Sequence, residues 1–217
     1  MAFQNLMVID PALEAPEIES FNEIVSRSPI KATYHLPAIH SSLSMYDQLV
    51  TSSAVILMGS AASVHEKHNW IKDITRVIEK AIEKKIPILG ICFGHQLLAH
   101  LYGGKVDYLW DKEKKRGIRK VKTLDNNLYL DPKEDFLVYS HQEGVTIAPK
   151  DFEIFATSEM VEAEGIFHKK LPIWGFQPHI EASKTFAARV GVNSKDFKKT
   201  RRYSALLLES FFNKIKY

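Results

Sequence analysis

The sequence predicts an α/β protein: a mostly parallel, open sheet with helices on both faces, extended by mixed or antiparallel strands. In the first half, short apolar runs alternate with helical segments, an order typical of parallel sheets that are covered on both faces. In the second half, short strand-like runs follow one another with few helices between them. Such a stretch favours a mixed or antiparallel extension of the same sheet.

The first half begins with a short apolar strand that Pro11 stops. The longest helix carries Ile71, Ile74, Ile78 and Ile82 at helical spacing, so one of its faces is apolar. We predict strands over residues 6–10, 31–36, 54–58 and 86–91, and helices over 17–25, 68–84 and 95–102.

The second half contains short apolar runs separated by polar turns, and it ends in helical segments. We predict strands over 106–109, 117–123, 136–139, 153–157, 163–167 and 173–177, and helices over 181–189 and 203–214. The polar and basic segment 191–202 is expected to be a loop or lid. No repeat or low-complexity linker divides the chain, so we expect one domain over residues 1–217.

Composition excludes several function classes. The net charge of +3 is small, and basic residues are interleaved with acidic ones, so we expect no nucleic-acid partner. No run approaches the roughly 18 apolar residues of a membrane span. The sequence begins without a basic, apolar leader, and its one cysteine excludes an internal disulfide. We therefore expect a cytoplasmic protein with no membrane partner.

An apolar strand runs into Gly90-Ile91-Cys92-Phe93-Gly94, and a helix leaves it. This is the form of a nucleophile elbow with cysteine in place of serine. The glycines relieve the crowding of a tight turn, and a helix N-terminus favours the thiolate. The N–H of Phe93 is predicted to face a developing oxyanion, with that of Gly59 as a second donor. A lone cysteine is commonly a core residue, but this context favours a nucleophile.

A cysteine nucleophile needs a base that takes its proton and later protonates the leaving amine. His179 stands at the end of a predicted strand, where parallel sheets build their sites. Glu181 lies two residues further on and shares a face with His179 in an extended segment. A carboxylate there would hold the imidazole tautomer and stabilise its charged form.

These motifs together resemble the class I glutamine amidotransferases, which use a Cys–His–Glu triad, and their order along the chain is that of the family. The GMP-synthetase-like glutaminase domain is the most similar type. The resemblance covers about residues 6–181. The matching segments are 57–64, 90–106, 139–145 and 175–181.

The resemblance implies a role for each matching position. Cys92 would form a γ-glutamyl thioester, His179 would act as base and acid, and Glu181 would orient it. Gly59 and Phe93 would supply the oxyanion hole. The α-amino and α-carboxylate end of L-glutamine or another γ-glutamyl compound would be held by Gln96, Ser140 and His141.

Two segments depart from the family pattern. Pro178 precedes His179 and Ile180 follows it, where relatives have an aromatic residue before the histidine and proline after it. Proline removes an N–H and restricts its neighbour, so a misaimed His179 is one expectation. Lys115-Arg116-Gly117 stands where many relatives have a glutamate before the glycine, which changes the polarity on the substrate side.

No metal or cofactor is expected. His65-Glu66-Lys67-His68 lacks the spacing of a zinc helix, and neither nucleotide-binding glycine motif is present. Synthetases that use glutamine need a second, acceptor-activating domain, for which this chain has no room. We expect ammonia to pass to a separate synthetase subunit. The alternatives are a free-standing γ-glutamyl hydrolase or peptidase with the same triad, and a catalytically quiet regulatory or binding homologue.

Overall fold

The computed structural model describes residues 5–124 and 133–215. Its strands are β1 Asn5–Ile9, β2 Lys31–His35, β3 Ser52–Leu57, β4 Ile88–Ile91, β5 Lys105–Tyr108, β6 Lys115–Thr123, β7 Glu134–His141, β8 Glu143–Ile147, β9 Phe152–Thr157, β10 Gly165–His168 and β11 Ile173–Phe176. Its α-helices are α1 Ile18–Val25, α2 Leu43–Leu49, α3 Asn69–Glu83, α4 Phe93–Leu101, α5 Lys184–Arg189 and α6 Ser194–Phe212, and a 3-10 turn covers Trp110–Lys112.

The described strands form a nine-stranded mixed sheet in the order β2-β1-β3-β4-β11-β10-β9-β6-β7. The strands from β2 to β11 pair in parallel, and those from β11 to β7 pair antiparallel. Strands β5 and β8 form a separate antiparallel pair. The predicted fold class, a mostly parallel half with a mixed extension, is therefore confirmed.

Apart from Asn5, Ser52 and Ser53 at their starts, the strands β1, β3, β4 and β11 are apolar and buried, because helices cover both faces of the sheet. In β1, Met7 and Ile9 pack with α2, α3 and α4, whereas Leu6 and Val8 pack with α1 and α6. This alternation follows from the two-residue period of a strand. The parallel half therefore has an apolar core on each side of the sheet.

The expected loop over residues 191–202 is wrong, because helix α6 begins at Ser194. Asn193 caps this helix, and its Oδ1 accepts a hydrogen bond from the N–H of Asp196 at 3.0 Å. Phe197 and Thr200 then bury one face of the first turns. The basic residues occupy the outer face, which explains why the segment has the composition of a loop. Two short elements, α2 and β8, were also absent from the prediction.

The carboxyl ends of β1, β3, β4 and β11 meet at one edge of the sheet, since these strands are parallel. Gly59 follows β3, Cys92 follows β4, and His179 follows β11. This edge is where open α/β sheets bind their ligands. Within residues 5–124 and 133–215, no helix combines the length and apolarity that crossing a bilayer requires.

Candidate active site

Cys92 lies on a strained turn between β4 and α4. Its φ of 51° and ψ of −101° place it in a region that non-glycine residues rarely adopt. The turn requires the glycines around it, because a β-carbon at Gly90 would lie 2.5 Å from the carbonyl of Gly94, and one at Gly94 would lie 2.3 Å from the carbonyl oxygen of Leu57. The backbone is held by a 2.8 Å hydrogen bond from the Cys92 N–H to Phe176. The sequence thus encodes the sharp turn that an elbow needs.

The imidazole of His179 lies between Glu181 and Cys92. Its Nδ1 is 2.8 Å from Glu181 Oε1, and its ring also hydrogen-bonds Cys92, so Nε2 is left for the thiol. Burial lowers the pKa of His179, but the charges of Glu181 and Cys92 and their hydrogen bonds outweigh it and raise the pKa to about 10. The imidazolium is therefore the favoured form at neutral pH.

Pro178 is accommodated beside this histidine. The N–H of Gln177 donates to Glu164 at 2.8 Å, and that of His179 donates to Val138 at 2.8 Å, so hydrogen bonds hold the backbone on both sides of the proline. The ring of Phe186 packs on the imidazole with centroids 4.4 Å apart. His179 is aimed at Cys92 and Glu181 in spite of the changed position of the proline.

Gly59 and Phe93 flank Cys92 on its two sides. A β-carbon on Gly59 would lie 3.4 Å from Cys92 Cβ and 2.8 Å from His179 Cε1, so the backbone of Gly59 borders both side chains. Phe93 is the first residue of α4, and the first N–H groups of a helix have no partner within it. The N–H of Phe93 therefore has no partner within the helix, and the backbone of Gly59 lies next to the Cys92 side chain.

The residues assigned to the amino-acid end of the substrate differ in position. Ser140 lines a cavity of about 440 Å³ that also borders Gly59, His179 and Glu181. Gln96 and His141 are buried and do not line this cavity. Gln96 Nε2 donates to the Glu143 carbonyl at 2.7 Å and to Gln177 Oε1 at 3.1 Å. Both ring nitrogens of His141 have partners within the protein.

Two basic side chains that the sequence reasoning did not assign also line the cavity. Lys114 and Arg116 lie on its wall beside Ser140, and Arg116 is the register partner of Ser140 between β6 and β7. Neither forms an ion pair within the described part of the chain. Arg189, on another wall, pairs with Glu17. Arg116 reaches the site through the pairing of β6 with β7, and in the sequence it is marked by the departure of Lys115-Arg116-Gly117 from the family pattern.

A third group of polar residues lies buried behind the site. Arg119 and Glu164 form an ion pair, and Glu143 accepts a 3.0 Å hydrogen bond from Ser63 in the loop after Gly59. The sequence reasoning missed all of these residues because they are scattered along the chain. In the described ranges, no three histidine, cysteine or acidic side chains are grouped in a way that would hold a metal ion.

The family model of the class-I glutamine amidotransferases matches residues 19–192. The chain belongs to this family. The matched region contains the elbow, His179 and Glu181, and it spans most of the sequence.

Curated relatives share about half of the chain. One is a glutamine-hydrolysing GMP synthase subunit from Methanococcus aeolicus, 38% identical over 116 residues, which are 53% of this chain and 61% of that protein. The protein of the same name from Methanocaldococcus jannaschii is 38% identical over 117 residues, again 53% of this chain and 61% of the relative. The alignments thus span about three fifths of the length of these relatives.

Solved structures of amidotransferases share the fold over nearly the whole chain. A glutamine amidotransferase from Thermotoga maritima superposes with a TM-score of 0.74 at 21% identity, covering 98% of each chain. A glutamine amidotransferase from Methylobacillus flagellatus gives a TM-score of 0.75 at 16% identity, covering 100% of this chain and 96% of the other. At these identities the likeness establishes the fold.

Proposed function

We propose that this protein hydrolyses the side-chain amide of L-glutamine through a γ-glutamyl thioester on Cys92. The observation that carries the proposal is the line formed by Cys92, His179 and Glu181 at the carboxyl edge of the sheet, in a member of this family. A nucleophile, a proton carrier and an orienting carboxylate are the parts that acyl transfer needs.

The reaction follows from these positions. The Cys92 thiolate attacks the amide carbon, and the negative charge that forms on the oxygen is met by the N–H groups of Gly59 and Phe93. The imidazolium of His179 gives its proton to the leaving nitrogen, and ammonia departs as the thioester forms. His179, now neutral, takes a proton from water, which attacks the thioester and releases glutamate. Glu181 stabilises the charged imidazole through both steps.

We propose that the cavity holds the other end of the substrate. Its volume of about 440 Å³ lies within the range of small-molecule sites. Ser140, Lys114 and Arg116 lie on one wall, where an α-carboxylate would find a hydroxyl group and two unpaired cations. We place the α-carboxylate there and assign Gln96 and His141, which lie buried behind the cavity, to holding this region in place.

We propose that the ammonia passes to a separate synthetase subunit. The curated relatives are named as one subunit of a glutamine-hydrolysing GMP synthase. A thiol nucleophile suits a reducing compartment, in keeping with a cytoplasmic location.

The test is ammonia release from L-glutamine by the purified chain, compared with Cys92→Ala and with the exposed control Lys120→Gln. We expect turnover that Cys92→Ala abolishes and the control preserves. Mass spectrometry of the wild type with glutamine should show a γ-glutamyl adduct on Cys92. Turnover that survives in Cys92→Ala would refute the proposal. Activity confined to γ-glutamyl peptides would replace amidotransfer by the hydrolase alternative.

A further inference from the structure

A buried cation lies behind the candidate site and contacts one of its histidines. Arg119, on β6, donates from Nη2 to Glu164 Oε2 at 2.7 Å, and its Nε lies 2.5 Å from Glu164 Oε1. The same Nη2 lies 2.8 Å from His141 Nε2. The guanidinium also stacks over the ring of Tyr139, 4.4 Å from the centroid. All these groups are almost fully withdrawn from solvent.

Arg119 determines which nitrogen of His141 carries the proton. A guanidinium has only donors, so His141 Nε2 must accept the hydrogen bond from Arg119. The ring proton is then on Nδ1, which donates to the Glu143 carbonyl oxygen at 2.8 Å. Burial, and then the charge of Arg119, lower the pKa of His141 to about 3. The ring is therefore a neutral, fixed tautomer throughout the physiological range.

The hydrogen bonds that start at Arg119 continue through the Glu143 carbonyl and lead back to Glu164, the partner of Arg119. The Glu143 carbonyl also accepts from Gln96 Nε2, which in turn donates to Gln177 Oε1. The N–H of Gln177 donates to the Glu164 carbonyl at 2.8 Å, which returns the chain to the partner of Arg119. This closed chain of hydrogen bonds thus joins β6, the first residue of β8, helix α4 and the segment that leads to His179.

The side chain of Glu143 connects these hydrogen bonds to the loop after Gly59, the residue whose N–H is a candidate oxyanion donor. Glu143 Oε1 accepts a 3.0 Å hydrogen bond from Ser63, four residues after Gly59. Gln96 lies one helical turn after Cys92 on α4. A displacement of the Glu143 segment would therefore move groups on both sides of the thiol, and a misplacement of about 1 Å can cost about a hundredfold in rate.

We propose that Arg119, paired with Glu164, is a positioning residue that fixes the tautomer of His141 and so holds the Glu143 segment against Gln96 and the Gly59 loop. The proposal rests on the proposed glutamine hydrolysis. Arg119 and His141 touch no substrate in this arrangement, and they act through the hydrogen bond to the Glu143 carbonyl.

A matched pair of amide substitutions separates this role from simple core filling. In His141→Asn, the amide nitrogen stands near the place of Nδ1 and keeps a donor for Glu143, whatever Arg119 does. In His141→Gln, the longer side chain puts its amide near the place of Nε2, where it meets Arg119, and the Glu143 carbonyl loses the donor at position 141 and keeps only Gln96. Both are neutral and polar, and asparagine is the smaller residue, so a role in packing alone predicts an equal or greater loss in His141→Asn.

We expect His141→Gln to lower kcat/KM for glutamine about ten- to a hundredfold and His141→Asn to lower it less than about threefold. Alkylation of Cys92 by iodoacetamide should proceed at the wild-type rate in both variants, which reports that Cys92 and His179 remain in place. Equal losses in the two variants, or a greater loss in His141→Asn, would overturn the proposal.

The tautomer is measured directly by the imidazole ¹⁵N shifts of the wild-type protein, with His141→Asn used to assign the signal. We expect a protonated Nδ1 and an unprotonated Nε2 that do not change between about pH 5 and 9. A protonated Nε2 would overturn the proposal without any reference to turnover. Wild-type protein that shows the expected tautomer but no Cys92-dependent ammonia release would instead refute the proposed function, and the positioning role with it.

Discussion

Adding one methyl group at Gly59 should disable the site while leaving the fold intact. Gly59→Ala keeps the backbone N–H that is the candidate oxyanion donor, and the backbone there is not in the left-handed region, so alanine is not strained. The new β-carbon would lie 2.8 Å from His179 Cε1. Glu181 and Phe186 hold the imidazole from other directions, so it has little freedom to retreat.

The size of the effect follows from the distance. An ordinary contact begins at 3.4 Å, so the imidazole or the Gly59 backbone must move by roughly 0.6 Å. Rate losses of about a hundredfold accompany misplacements of about 1 Å, and we therefore expect kcat/KM for glutamine to fall about ten- to a hundredfold. The fall should appear in kcat, because the amino-acid end of the substrate binds elsewhere in the cavity.

The assay compares ammonia release and thermal unfolding in Gly59→Ala and Gly144→Ala. A β-carbon at Gly144 would also meet an atom at 2.8 Å, but that atom is a terminal methyl of Leu109, which can rotate away. We expect the fall in log(kcat/KM) for Gly144→Ala to be less than a third of the fall for Gly59→Ala. Equal rates of ammonia release by Gly59→Ala and the wild type would refute the reasoning that the His179 imidazole next to Gly59 cannot move away.

Three further predictions concern charge. Because the charges around His179 raise its pKa to about 10, kcat/KM should fall on the alkaline side only near that pH, and Glu181→Gln should move this limb to lower pH, measured by pH–rate profiles. Arg116→Gln should raise KM for glutamine roughly two- to fivefold with little change in kcat, whereas KM for the carboxyl-blocked glutaminamide should not change. Arg119→Met leaves Glu164 buried without its cation and should lower the free energy of unfolding by about 3–5 kcal/mol in urea titrations, and adding Glu164→Gln should restore a large part of the loss.

Most of the strand and helix order could be predicted because hydrophobic periodicity is a local property. The apolar runs before Gly59 and Cys92 are strands, and α3 has the helical face that its isoleucines indicate. At the start of α6, the basic composition favours a loop, whereas the Asn193 cap and the buried Phe197 favour a helix. The prediction followed the composition and was wrong. A short helix such as α2, with two buried side chains, gives too weak a period to recognise.

The sequence by itself determined the elbow, because the glycines that allow a strained turn at Cys92 are its chain neighbours. It also pointed to the contact between His179 and Glu181, although the chain from His179 to Ala182 forms a turn and not the extended segment that we predicted. Only the tertiary structure decided how Arg116 reaches Ser140 and how Arg119 reaches His141. Those pairs are set by the register of β6 against β7, and antiparallel register depends on the burial of whole strand faces, which no local motif specifies.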